Sequence, residues 1–102
     1  MARMTRQRED GAFVLPPESL SPLDGGWAGP AAEKLAAYED LGEELCAQQA
    51  QLSKKMADLR AAGRERTVQF RELMAQKLSN AYVIGLLQAR GLMEKEDGTC
   101  GK

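Results

Sequence analysis

The chain contains no histidine. That absence removes the side chain most often used as a general base near neutral pH, and the commonest metal ligand. Histidine-dependent triads are excluded with it. Cysteine is scarce too. Cys46 and Cys100 stand far apart, and no Cys-x-x-Cys pair is present to hold zinc. Aromatic residues make up 5% of the chain, with a single tryptophan, so leucine and methionine must fill most of any core. No apolar run approaches the roughly 18 residues of a membrane-spanning helix. The opening Met1-Ala-Arg-Met-Thr-Arg-Gln-Arg8 is charged and leads into no apolar stretch, unlike a secretory signal. Glycine-rich phosphate loops and a Gly-x-Ser-x-Gly elbow are missing as well. These absences predict a cytoplasmic protein that is not an enzyme. It has two free thiols, Cys46 packing beside the core, and no catalytic residue, metal, cofactor or membrane partner.

With 102 residues and a net charge of −1, the chain is one small domain at most and no globally basic nucleic-acid binder. Its main positive feature is an apolar seam at seven-residue spacing. One set of positions reads Leu35, Gly42, Gln49, Met56; the interleaved set reads Tyr38, Leu45, Leu52, Leu59. Apolar side chains alternating three and four residues apart fall on one stripe of a helix, and such a stripe needs another helix to cover it.

Pro30 opens this helix and Gly63 is its stop. Gly42 is the weak point, costing about 1 kcal/mol relative to alanine. After Gly63, Thr67 can cap a second helix, along which Phe70, Leu73, Met74 and Leu78 recur at helical spacing. Ser79-Asn80 resembles a further cap, and Tyr82, Val83, Leu86 and Leu87 follow before Gly91. The spacing therefore predicts an all-α fold: an antiparallel helical hairpin, coiled-coil-like, whose second arm is kinked or split. Its bounds are 31–93. Residues 1–30 form an irregular N-terminal arm. Glu9-Asp10-Gly11 is a turn signal there, compatible with a short hairpin. Residues 94–102 are polar and predicted to be disordered. Two helices cover only part of each other's apolar faces, so a homodimer is expected, with Leu35, Leu45, Leu52, Met56 and Leu59 as the self-association seam and Gln49 fixing register.

Charge is unevenly spread. Between residues 33 and 44 there are five acidic side chains and one lysine. Between residues 54 and 77 there are seven basic side chains against three acidic ones. Glu39, Asp40, Glu43 and Glu44 share helix faces in i,i+4 pairs, but no base or nucleophile stands near, so they read as a solvated face. The basic stretch 54–77 supports an alternative reading as a small DNA-binding regulator. Residues 71–87 are faintly like a helix-turn-helix, although the turn is too short and residues 80–90 offer only Arg90 to phosphate.

Leu35-Ala-Ala-Tyr-Glu-Asp-Leu-Gly42 resembles a recurrent element, Leu-Ala-x-Tyr-Glu-Asp-Thr-Gly, of small prophage and mobile-element proteins from Firmicutes. The opening Met4-Thr-Arg-Gln-Arg-Glu-Asp-Gly11 is similar to theirs. Leu41 replaces their threonine, and their following Leu-Thr-Pro is absent, so the helix here is free to continue through Gly42. The resemblance implies a phage-type accessory protein in a bacterial host cell. It would act through protein–protein contact on a host target, for instance as an inhibitor of a defence system such as a CRISPR effector. Contact candidates are Trp27, Tyr38, Arg64, Arg66 and Tyr82. Trp27 has a competing reading, as the anchor that pins the N-terminal arm to the helices.

Overall fold

A computed structural model of the chain describes residues 3–94. Of the tail 94–102 expected to be disordered, all but Glu94 lies outside those residues, as does Cys100. The chain divides into two compact units, Met1–Tyr38 and Glu39–Lys102.

The first unit corrects the all-α expectation. It holds two antiparallel β-hairpins. Strand β1 (Arg6–Gln7) pairs with β2 (Phe13–Val14), Gln7 facing Phe13. The Glu9-Asp10-Gly11 turn joins them. It is closed by Arg8 N–H donating to the Ala12 carbonyl at 2.8 Å and by the Asp10 carboxylate accepting from Ala12 N–H at 3.0 Å. Strand β3 (Ser21–Leu23) pairs with β4 (Gly26–Ala28) through a two-residue loop, Pro22 facing Trp27. Proline is harmless in β3 because a two-stranded ribbon leaves an edge on which no N–H is needed. A single 3-10 turn, Pro17–Ser19, separates the hairpins, and its Ser19 is buried against Gly29.

Helix α1 (Pro30–Ala61) runs unbroken through Gly42. Helix α2 (Val68–Ala89) is also continuous, which corrects the kinked or split second arm. Thr67 caps it, its Oγ1 accepting from Phe70 N–H at 3.2 Å. Asn80 is no cap. It is buried mid-helix, and its Nδ2 donates across to Gln48 Oε1 at 3.1 Å. Both helices end alike. At Gly63 (φ 74°) and Gly91 (φ 74°) the chain turns left-handed, and the next N–H returns to the carbonyl of Leu59 or Leu87. This is the six-to-one bond that ends a helix without an orphan carbonyl.

In the second unit the two helices pack antiparallel. Leu45 meets Ile84 and Leu87 at one end; Met56 and Leu59 meet Phe70 at the other. The buried positions of α1 are Gly42, Leu45, Gln49, Leu52, Met56 and Leu59, a strict three–four alternation. Those of α2 are Phe70, Asn80, Ile84 and Leu87, with Leu73 half-buried between. Between the two apolar ends lies a polar middle. Gln49 is 2% exposed, and its Nε2 donates to the Lys77 carbonyl at 3.1 Å, while its Oε1 and the Ser53 hydroxyl have no partner. Met93 folds back onto the Leu45 cluster, into space that Gly42 leaves open.

The self-association seam needs correcting on the same ground. Leu45, Leu52, Met56 and Leu59 are covered by α2 of their own chain, because the Gly63 turn brings α2 back along the stripe. Leu35, in the first unit, remains 56% exposed. Cys46 corrects the expectation of free thiols: it is disulfide-bonded.

Candidate interaction surface

The five contact candidates are divided between the units, Trp27 and Tyr38 in the first and Arg64, Arg66 and Tyr82 in the second. Trp27 lies on β4 and is 66% exposed. Tyr38, still in the first unit, is exposed on α1. Arg64 and Arg66 are exposed in the connector between the helices, where the Arg64 carbonyl accepts from Thr67. Tyr82 stands on α2, about 22 Å along the helix from that connector.

Basic residues 54–77 do not form a single face either. Lys54 and Lys55 point away from α2 on α1, the Arg60 guanidinium lies over the Phe70 ring at 5.3 Å, and Lys77 is half-buried in the seam. With α2 unbroken and Asn80 pointing into the hairpin, the helix-turn-helix likeness of residues 71–87 has no turn behind it. Among the described residues no group of three or more metal-ligating side chains is present, and no helix is long and apolar enough to cross a membrane. An open groove in the first unit is lined by Arg3, Thr5, Arg6, Val14 and Glu18 among others, with no paired base and nucleophile.

The feature that sequence reasoning missed is the outer face of α2. At about 100° per residue, the buried positions Phe70, Asn80, Ile84 and Leu87 centre on one direction, and Tyr82 points almost opposite. Around Tyr82 lie Ala75, Leu78, Leu86 and Ala89. Leu78 is 65% exposed, Tyr82 70% and Leu86 51%. Residues 78–89 contain no charged side chain at all. The outer side of α1 beside it is ordinary by contrast, carrying Glu43, Glu44, Gln51, Lys54 and Asp58, all exposed. A helix that is apolar on both sides is a helix built to be covered on both sides. In this chain α1 covers only one.

No family model, curated protein or solved structure matches the chain. The mobile-element resemblance at residues 35–42, and the defence-inhibitor role drawn from it, gain no support from these comparisons.

Proposed function

We propose that this chain acts without catalysis, as a protein-binding module whose contact surface is the outer face of α2. The observation behind the reading is the uncharged, doubly apolar stretch 78–89, with Leu78, Tyr82 and Leu86 standing in solvent. Contiguous apolar patches on a small protein mark interaction sites far more often than scattered apolar residues do. An aromatic at the centre of such a patch is the residue type that most often dominates binding energy. The hairpin beneath supplies a rigid helix on which the patch is displayed.

The test is site-specific photo-crosslinking in a lysate of the organism that makes the protein. A photoreactive side chain replaces Ala89 on the outer face of α2, or Gln51 on the polar face of α1. Discrete protein adducts from position 89 that are absent from position 51 are expected. Equal adducts from both positions, or none from position 89, refute the reading.

A further inference from the structure

Building on the protein-binding reading above, we infer that the partner covering the outer face of α2 is a second copy of this chain, laid antiparallel across a two-fold axis through Tyr82. The spacing of the face carries the argument. Its members are Ala75, Leu78, Tyr82, Leu86 and Ala89. Read from Tyr82, the next position is four residues away in either direction and is a leucine. The one after is three further and is an alanine. The stripe therefore has the same pattern of large and small side chains in both directions.

A two-fold contact demands that one patch be complementary to itself. Two such helices related by the axis bring Leu78 against Leu86 of the partner, Ala75 against Ala89 of the partner, and the two Tyr82 rings together at the centre. The alanines at the ends and Gly85 beside the centre, where a side chain would find open space, let the helices approach closely.

Charge points to the same orientation. Glu72 and Arg90 lie beyond the two ends of the stripe, with Arg71 beside Glu72 and Lys77 half-buried toward the hairpin. Glu72 and Arg90 are eighteen residues apart, which at 3.6 residues per turn puts them on the same side of the helix. Antiparallel pairing about Tyr82 sets Glu72 of each copy next to Arg90 of the other. On the larger scale, α1 is acidic at Glu39, Asp40, Glu43 and Glu44, while the connector end carries Arg60, Arg64, Arg66 and Arg71. Antiparallel hairpins place each basic end near the other's acidic end; parallel hairpins would set like against like. Covering the stripe on both copies buries on the order of 1,000 Å², the lower end of specific interfaces, where weak and transient pairs are found.

The experiment is analytical ultracentrifugation of the full chain from 1 µM to 1 mM, with circular dichroism to confirm that each variant keeps its helices. The expected result for the unaltered chain is a monomer–dimer equilibrium within that range. Leu78→Glu and Tyr82→Glu alter exposed positions and should abolish the dimer with helicity intact. Glu72→Lys, or Arg90→Glu, should weaken it about three- to tenfold, and the double swap Glu72→Lys/Arg90→Glu should restore it. A chain that stays monomeric to 1 mM overturns the inference, as does a dimer indifferent to Leu78→Glu and Tyr82→Glu. Failure of the double swap to restore affinity overturns the register. Crosslinking from position 89 to a different protein, with a monomeric chain, sinks the self-pairing and leaves the binding-module reading standing.

Discussion

Replacing Gln49 with leucine or methionine should make the protein more stable. Gln49 sits in the middle of the hairpin, 2% exposed, where its Oε1 has no hydrogen-bond partner. A buried acceptor left unpaired costs about 1–3 kcal/mol. Its Nε2 does donate to the Lys77 carbonyl, but that carbonyl lies inside α2 and keeps a helical partner, so removing the amide strands nothing. The lost bond is worth about 0.5–1.5 kcal/mol net, and an apolar side chain of similar size regains a comparable amount through burial. The balance favours the apolar variants by about 1–2 kcal/mol. For a domain of this size that is a rise of about 5–10 °C in melting midpoint. Thermal melts followed at 222 nm would read the shift, with urea titrations checking that the m-value is unchanged. Methionine tests the same idea with an unbranched chain closer in shape to glutamine. If both variants melt below the parent, the unpaired oxygen is not the cost inferred here and the polar middle of the hairpin contributes stability.

Other perturbations have equally definite outcomes. Gly29→Ala should cost at least about 2 kcal/mol in the first unit, because φ there is 133° and the new Cβ would sit 2.5 Å from the Ser19 carbonyl oxygen; amide exchange rates across residues 17–28 would show it. Thr67→Ala should cost about 1 kcal/mol by removing the cap on α2, while Thr67→Asp should be close to neutral; both are read from urea midpoints. Gly42→Ala gains about 1 kcal/mol of helix propensity but places its Cβ 3.1 Å from the Met93 side chain. The substitution should therefore be near neutral alone and stabilising in a Met93→Ala background, a coupling that a double-mutant cycle measures directly.

The hairpin was legible because its signals repeat. Gly42, Leu45, Gln49, Leu52, Met56 and Leu59 alternate strictly, and Pro30, Gly63, Thr67 and Gly91 each have one good reading as a helix end. The β-hairpins offer two or three residues per strand, too few for a period of two to emerge, and Pro22 and Gly25-Gly26 read as part of an irregular arm when Pro22 and Gly26 lie in strands and Gly25 in the turn between them. Ser79-Asn80 misled for a different reason. Asparagine is a good cap, but the same residue at a buried register position is a polar rung of the seam, and only the packing of α2 on α1 distinguishes the two. The outer face of α2 was hidden by its neighbours. Tyr82, Val83, Leu86 and Leu87 read together as one stripe that passed over Ile84, and only the helical register sorts them, with Ile84 and Leu87 inside and Tyr82 and Leu86 outside.

That sorting bears on why the outer face is apolar at all. Folding of the hairpin gains little from Leu78, Tyr82 or Leu86, each more than half exposed, and lysine or glutamate there would serve the helix equally well while keeping the chain soluble. The inner core is thin: Leu45, Leu52, Met56, Leu59, Phe70, Ile84 and Leu87 are its buried apolar members, interrupted by the Gln49 layer. A domain of that size gains substantially from anything that binds only the folded form, about 2.7 kcal/mol when the partner is present at a hundred times its dissociation constant. If the outer face of α2 supplies that stabilisation, the melting midpoint must rise with protein concentration. Leu78→Glu must then flatten the dependence while leaving the dilute-limit midpoint where it was. A core role for Leu78 would lower the midpoint at every concentration alike. The two origins of apolar surface, packing and recognition, are thereby separated at a single residue.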